Sequence, residues 1–487
     1  MSLPQSFAFF ASRLQGFTRN TVRVSPSAST TVKNNQSIEL VMPNNAIVDL
    51  TTLRLTGDFK YTNSTSATNP IRYVPAPHQL VRSAVFQLNG QSVSGQSNQH
   101  FGQLYEAIKR CSVGDDHAKS DVNCYSEVPV ATLNGAATSK VFGNASERAA
   151  SDTVSRRITM TEFLGLQQSP NAPSMDTSIC GNIRLVLQMN GSEAGFGQSD
   201  DAFASNDFDW QLDNVEAQID VISMASSMYD ELMSALLSEP DAQLLIPFPE
   251  YTTQRSLLNT SIRFNVASSS LDMIAFAPLH SDHTGATRIA TTAGVPPGTL
   301  GTLVPKQVQY CYRTDSSALA SSLANQSDSV TATYHWNVNG MTVPAKGSTN
   351  INDGAQYTKE LYGHQDVHQG SALFEGYFAS PAPLAAGGVP SDGTQVYPTM
   401  LNKQVAKQYS RVNYLDYNCI VAHRLCLDLP AHQSPTRTAS GLSTLGQASN
   451  IQLNLTGFNN NTDSVLIYGM GSAILSVSAN QQSAVIY

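Results

Sequence analysis

At 487 residues the chain is too long for one ordinary domain and suits two or three, and its 41% hydrophobic content fills sizeable cores. Only 13% of residues are charged, roughly half the usual share, so Ser, Thr, Asn, Gln and Gly dominate a surface suited to being covered by neighbours. No run of 18 or more apolar residues occurs, which excludes a transmembrane helix.

The net charge of −9 is unevenly placed: residues 1–38 carry four bases and no acid, leaving −13 on the rest. Residues 1–36 read as an N-terminal arm. Phe7, Phe10, Leu14 and Phe17 recur at spacings of three and four, which predicts one apolar helical face, with Ser6 as its cap and Gly16 as its end. Arg13, Arg19 and Arg23 on that arm are candidates for nucleic-acid phosphates, though no aromatic stacking platform accompanies them. The N-terminus has no continuous apolar stretch before a small-residue cleavage site, so no secretory signal is expected.

Residues 37–226 show strands of period two broken by Gly, Asn, Pro and Ser, with a turn of helix near Gly102 to Lys109. Val215 to Ile222 alternates cleanly and reads as the closing strand. Residues 227–241 predict a linker helix: Ser227 with Asp230 as a capping box, an apolar stripe of Tyr229, Leu232, Met233, Leu236 and Leu237, then Pro240 as the stop. Residues 242–487 form a second β unit with longer Gly/Pro/Ser/Ala-rich loops at 283–302 and 379–397, closed by a strand pair, Ser464 to Tyr468 and Ala473 to Val477.

The two β units share a signature. Val85-Phe86-Gln87-Leu88-Asn89-Gly90-Gln91-Ser92-Val93 is mirrored by His335-Trp336-Asn337-Val338-Asn339-Gly340-Met341-Thr342-Val343. Asn-Gly suits a two-residue hairpin because both turn positions need positive φ. Flanking segments match in order: 37–43 with 243–249, 50–59 with 257–266, Leu104-Tyr105 with Leu361-Tyr362, and Asn182 to Gln188 with Asn450 to Thr456. The offset grows from about 206 to 250, 257 and 268, as expected of one topology built twice with longer loops in the second copy. Units of this size with around eight strands fit all-β jelly rolls rather than immunoglobulin domains.

Catalytic signatures are sparse. His280-Ser281-Asp282-His283, and His364 with Asp366 and His368, have spacings that suit a metal but lie in loop-like sequence. Asp200, Asp201, Asp207, Asp209 and Asp213 form the densest acidic patch, without the glycine and terminal Glu of a calcium loop. Six cysteines (111, 124, 180, 311, 419, 426) with no Cys-x-x-Cys pair point to reduced thiols. Neither a cofactor nor an enzymatic role is expected.

The order and spacing of Gln87-Leu88-Asn89-Gly90, Gln103-Leu104-Tyr105, Ile219-Asp220-Val221 leading to Tyr229, Asn337-Val338-Asn339-Gly340 with Pro344, and Ser440 to Gly446 resemble the double jelly-roll major capsid proteins of small icosahedral double-stranded DNA viruses, of the polinton-like virus and virophage type. The resemblance implies two tandem eight-stranded antiparallel jelly rolls joined by a short linker helix, no enzymatic activity, and a location in the virion. It implies a homotrimer whose six rolls make a pseudo-hexagonal capsomer, contacting neighbouring capsomers, penton and minor capsid proteins. The loops would face outward, and the arm inward towards the genome or an inner layer. The competing readings are a two-domain jelly-roll hydrolase and a carbohydrate-binding protein, for which exposed Trp210 or Trp336 would be needed.

Overall fold

The computed structural model describes residues 17–63, 71–73, 77–112, 155–169, 174–191, 196–198, 208–224, 243–280, 332–362, 375–377, 407–409, 419–427, 440–445, 450–458, 462–478 and 483–486. The first unit contains β1 (Phe17–Val24), β2 (Ser37–Val41), β3 (Ile47–Asn63), β4 (Val81–Leu88), β5 (Gln91–Ser94), β6 (Ser155–Met160), β7 (Ile183–Met189) and β8 (Phe208–Met224). One sheet runs β1-β8-β3-β6 and the other β2-β7-β4-β5. The second unit contains β9 (Gln243–Leu257), β10 (Ser261–Phe264), β11 (Leu271–His280), β12 (Thr333–Val338), β13 (Met341–Val343), β14 (Val421–Arg424), β15 (Ile451–Thr456) and β16 (Thr462–Ser478). Its sheets run β9-β16-β11-β14 and β10-β15-β12-β13. Every strand of the second unit therefore occupies the place of the strand eight before it. Each unit is a jelly roll: two antiparallel sheets facing one another around a core.

The duplication extends to single hydrogen bonds. Asn89 and Gly90 have φ of 51° and 83°, and Asn339 and Gly340 have 50° and 85°. Both turns thus have positive φ at both positions, and each Asn side chain then clasps the same neighbouring strand. Asn89 Oδ1 accepts from the Asn182 N–H at 2.8 Å, and Asn339 Oδ1 accepts from the Asn450 N–H at 3.1 Å. The Asn89 and Asn339 N–H groups return bonds to the carbonyls of Asn182 and Asn450 at 2.9 and 3.0 Å. A helix follows each hairpin, α1 (Phe101–Ser112) and α2 (Ile351–Tyr362).

The structure corrects the arm. Phe17 begins a strand instead of closing a helical face: β1 pairs with β8 from Phe17↔Met224 to Val24↔Ala217. The first roll therefore starts at residue 17, not 37. From Thr18 to Arg23 the strand is exposed and Val24 is buried; it is an edge strand with no apolar alternation to announce it. Missing β1 displaced the first two repeat matches by one strand. Segment 37–43 corresponds to β10 and not to 243–249, and segment 50–59 corresponds to β11 and not to 257–266. Counted on first residues, the offset is 226 for β1 and β9, 224 for β3 and β11, and 252 for β4 and β12, so the extra length enters mainly before β12. Leu104-Tyr105 lies early in α1 whereas Leu361-Tyr362 ends α2, so that pair shares an element but not a position. The expected closing strand pair is one continuous strand, β16. The linker helix at 227–241 and the loops 283–302 and 379–397 lie outside the described residues.

Aromatic rings anchor both cores. Phe59 on β3 stacks on Trp210 of β8 with centroids 6.0 Å apart, and Phe276 on β11 meets the edge of Trp336 on β12 at 6.0 Å. The rolls differ on the faces of their four-stranded sheets. Along β8 buried and part-exposed residues alternate from Trp210 to Asp220, apart from exposed Asn214, whereas on β16 every residue from Ser464 to Ala473 is buried. A sheet with one wet face alternates; one covered on both faces does not.

Candidate functional site

Two arginines of the expected arm sit on the exposed face of the first roll, paired with acids. Arg19 Nη2 lies 2.7 Å from Asp49 Oδ2, and its Nε lies 2.6 Å from Asp220 Oδ2. Arg23 Nε lies 2.7 Å from Glu216 Oε2, whose other oxygen lies 3.0 Å from Arg157 Nη2. Lys60 and Asp213 extend this ladder at 2.5 Å. Hydrogen bonds from Thr21, then from Arg19, hold Asp220 below the usual carboxylate range. Arg19 and Arg23 therefore belong to a mixed-sign sheet surface, because β1 places them across from acids on β3 and β8. Arg13, Phe7, Phe10 and Leu14 lie outside the described residues.

His283, His364, Asp366, His368, Asp200, Asp201 and Asp207 lie outside the described residues; His280 ends β11 and Asp209 is on β8. Among the described residues no group of three or more His, Cys, Asp or Glu is placed to hold a metal. Trp210 and Trp336 are buried in the two cores, so neither offers a face to a sugar. Cys111, Cys180, Cys419 and Cys426 are buried thiols, and burial pushes Cys180 up to about 12.

What the chain does build is a polar seam between its two rolls, along β9. The Ser169 hydroxyl donates to the Pro247 carbonyl at 2.6 Å. The Thr253 N–H donates to the Ser97 carbonyl at 3.1 Å and its hydroxyl to Asn98 Oδ1 at 3.2 Å. Between them Glu250, 8% exposed, accepts the Gly95 N–H on both carboxyl oxygens, at 3.0 and 3.2 Å. Burial pushes this carboxyl up to about 7, against the Gly95 and Ser94 hydrogen bonds that favour its charged form. The first roll thus satisfies part of the outer edge of β9, at the Pro247 carbonyl and the Thr253 N–H, where an open edge invites pairing with another chain. Sequence reasoning passed over Glu250, although a lone acid inside the run Ile246-Pro247-Phe248-Pro249-Glu250-Tyr251 was a visible signal.

A second polar cluster pins residues 440–445 to the start of β11. Leu271 and Leu442 exchange backbone bonds at 2.8 and 2.9 Å. The Gly441 N–H donates to Ser270 Oγ at 2.8 Å, and that hydroxyl donates to Asp272 Oδ1 at 2.8 Å. Ser472 donates to the other carboxyl oxygen at 2.5 Å. Asp272 is buried and receives two hydroxyl bonds. Replacing a hydrogen-bonded buried acceptor leaves its donors unpaired, at about 1–3 kcal/mol. Asp272→Ala is therefore expected to lower stability by about 2 kcal/mol and to free the 440–445 loop for proteolysis, with Asp272→Asn milder; urea titration with limited digestion checks both.

No family model and no curated protein matches this sequence. Solved structures do share its fold. The PBCV-1 virus capsid quasi-atomic model is similar with a TM-score of 0.53 at 12% identity, covering 98% of both chains. The Faustovirus major capsid protein is similar at 0.52 and 9% identity, over 96% of this chain and 92% of its own. The Sputnik virophage cryo-EM structure is similar at 0.50 and 10% identity, over 97% and 88%. The paired jelly rolls are thus a known architecture matched from end to end.

Proposed function

We propose that this chain is a structural major capsid protein, three copies of which form a pseudo-hexagonal capsomer in an icosahedral virion shell. The observation that carries the reading is the strand-for-strand repetition of one jelly roll along the chain, in a fold matched over nearly its whole length by virus capsid chains. Two like rolls per chain make six like wedges in a trimer, which fills a sixfold tile with threefold symmetry. The asymmetry between the rolls supports ring closure. Along β16 of the second roll every residue from Ser464 to Ala473 is buried within the chain, while the first roll's equivalent sheet keeps an open face bearing Arg19, Arg23, Arg157 and their acids. Head-to-tail association can use that open face until the ring closes. Neighbouring capsomers, pentons and minor capsid proteins are the partners this role entails, with residues 1–16 available to an inner layer or genome.

The test is mass and outline. Light scattering of purified protein is expected to give about three times 52.3 kDa, and negative-stain micrographs to show hexagonal outlines. A monomer at micromolar concentration would overturn the trimer, and a monomer that turns over a glycan or peptide would favour the hydrolase reading.

A further inference from the structure

We propose that Glu250 is a proton-operated latch between the two rolls: uncharged it holds Ser94 and Gly95 of the first roll against β9, and ionised it loosens that seam without unfolding either roll. This goes beyond the capsid reading and does not depend on it.

Gly95 has φ +84°, and a Cβ there would lie 2.0 Å from the Ala84 carbonyl oxygen. Its N–H is therefore held at one place and direction by the backbone of β4, and Glu250 has to meet it there. The second contact is Ser94, whose hydroxyl bonds Glu250 and accepts the Leu166 N–H at 3.3 Å. Glu250 thus joins β9, the end of β5 and the segment 165–169, which are three separate pieces of the seam.

Among the described residues no cation pairs with Glu250. Tyr251, its neighbour on β9, is buried and feels Glu250 and Glu162. Across the sheet Glu250 faces Gly471, and the next residue, Ser472, carries a bond to Asp272. Burial raises Glu250, and the Gly95 and Ser94 bonds oppose it. Further along the seam burial, then Arg255 and Arg82, lower His100 to about 4. A carboxylate in this position has one N–H and one hydroxyl for solvation. Its acid form keeps an oxygen for the Gly95 N–H and gains an O–H to share with Ser94. On ionisation the proton leaves to solvent water.

The sign follows. The carboxyl is raised in the folded chain from 4.5 to about 7. Its contribution is complete below about 4.5, declines as pH rises through that window, and is lost above about 7. His100 and His423, both lowered to about 4, run oppositely: their contribution is complete above the ordinary histidine value and is lost as pH falls through about 4. The seam therefore tightens on mild acidification, and only comparison with a neutral carboxamide isolates Glu250.

Hydrogen exchange of the full-length protein between pH 5.5 and 8.5, corrected for intrinsic rates, tests this. Peptides covering 92–98 and 246–256 are expected to exchange at least about tenfold faster at the alkaline end, while the 183–189 peptide in the first core stays constant. Glu250→Gln is expected to remove the alkaline loosening, leaving only the opposite trend of His100, and to leave exchange at pH 5.5 close to wild type. A wild-type seam whose corrected exchange is flat with pH would overturn the latch, as would a Gln variant with the wild-type profile. Should the variant fail to fold, NMR titration of the wild-type carboxyl decides alone: a midpoint near 7 together with the alkaline loosening supports the latch, and an ordinary glutamate midpoint sinks it.

Discussion

Removing residues 1–24 is expected to abolish folding of the first roll, while removing residues 1–16 leaves it folded. The two truncations differ by β1 alone. That strand supplies an eight-residue ladder to β8, and its loss would leave one of the sheet's two 17-residue strands with an exposed edge, a known route to aggregation. It would also strip Arg19 from Asp49 and Asp220, and Arg23 from Glu216. Asp49 is 6% exposed and Asp220 is largely shielded, so acids that now face a guanidinium would be left crowded without one. Val24, buried against the core, would go too. Soluble yield, near-ultraviolet circular dichroism and urea unfolding of the two truncations check this. A 25–487 chain with an unchanged urea midpoint would show that β1 is dispensable.

Gly95→Ala is expected to destabilise the protein by at least about 3 kcal/mol, whereas Gly90→Ala, five residues earlier, costs only about 1 kcal/mol. Both glycines have positive φ, 84° and 83°, so both pay the same conformational penalty when a side chain is added. They differ in surroundings. A Cβ at Gly90 meets nothing within 4 Å, while one at Gly95 meets the Ala84 oxygen at 2.0 Å and its carbonyl carbon at 3.1 Å. Backbone in a central strand cannot rotate aside as a flexible side chain can, so β4 and β5 must separate. That separation also withdraws the Gly95 N–H from Glu250, coupling a defect in the first roll to the seam. Urea unfolding of the two variants gives the contrast directly, and equal midpoints would remove the steric argument.

The paired Asn-Gly turns were readable before any coordinates because their cause is local: two residues that tolerate positive φ, flanked by alternating apolar positions. The 215–222 part of β8 announced itself the same way, through Val215, Ala217 and Ile219 on its buried face. β1 did not. Its residues Thr18 to Arg23 are exposed, so it has no buried face to imprint an alternation, and the helical spacing of Phe7, Phe10, Leu14 and Phe17 suggested a different element. That one omission carried over into the repeat, because short apolar strands can be matched one place out of step when the first member is unseen. At the seam, the sequence placed a single acid within an apolar strand but could not show that Gly95, 155 positions away, would donate to it.

By itself the sequence determined that this protein is two similar β units in tandem, each turning on an Asn-Gly hairpin, with a turn of helix after the first. Those features rest on side-chain alternation and φ preferences that act within a few residues. The tertiary structure alone decided where the first roll begins, which strands are equivalent, that Arg19 and Arg23 are committed to acids, and that Glu250 is closed off between the rolls. These depend on contacts between residues tens to hundreds of positions apart, where pairing energy and desolvation are set by what the completed fold brings together and not by any local pattern.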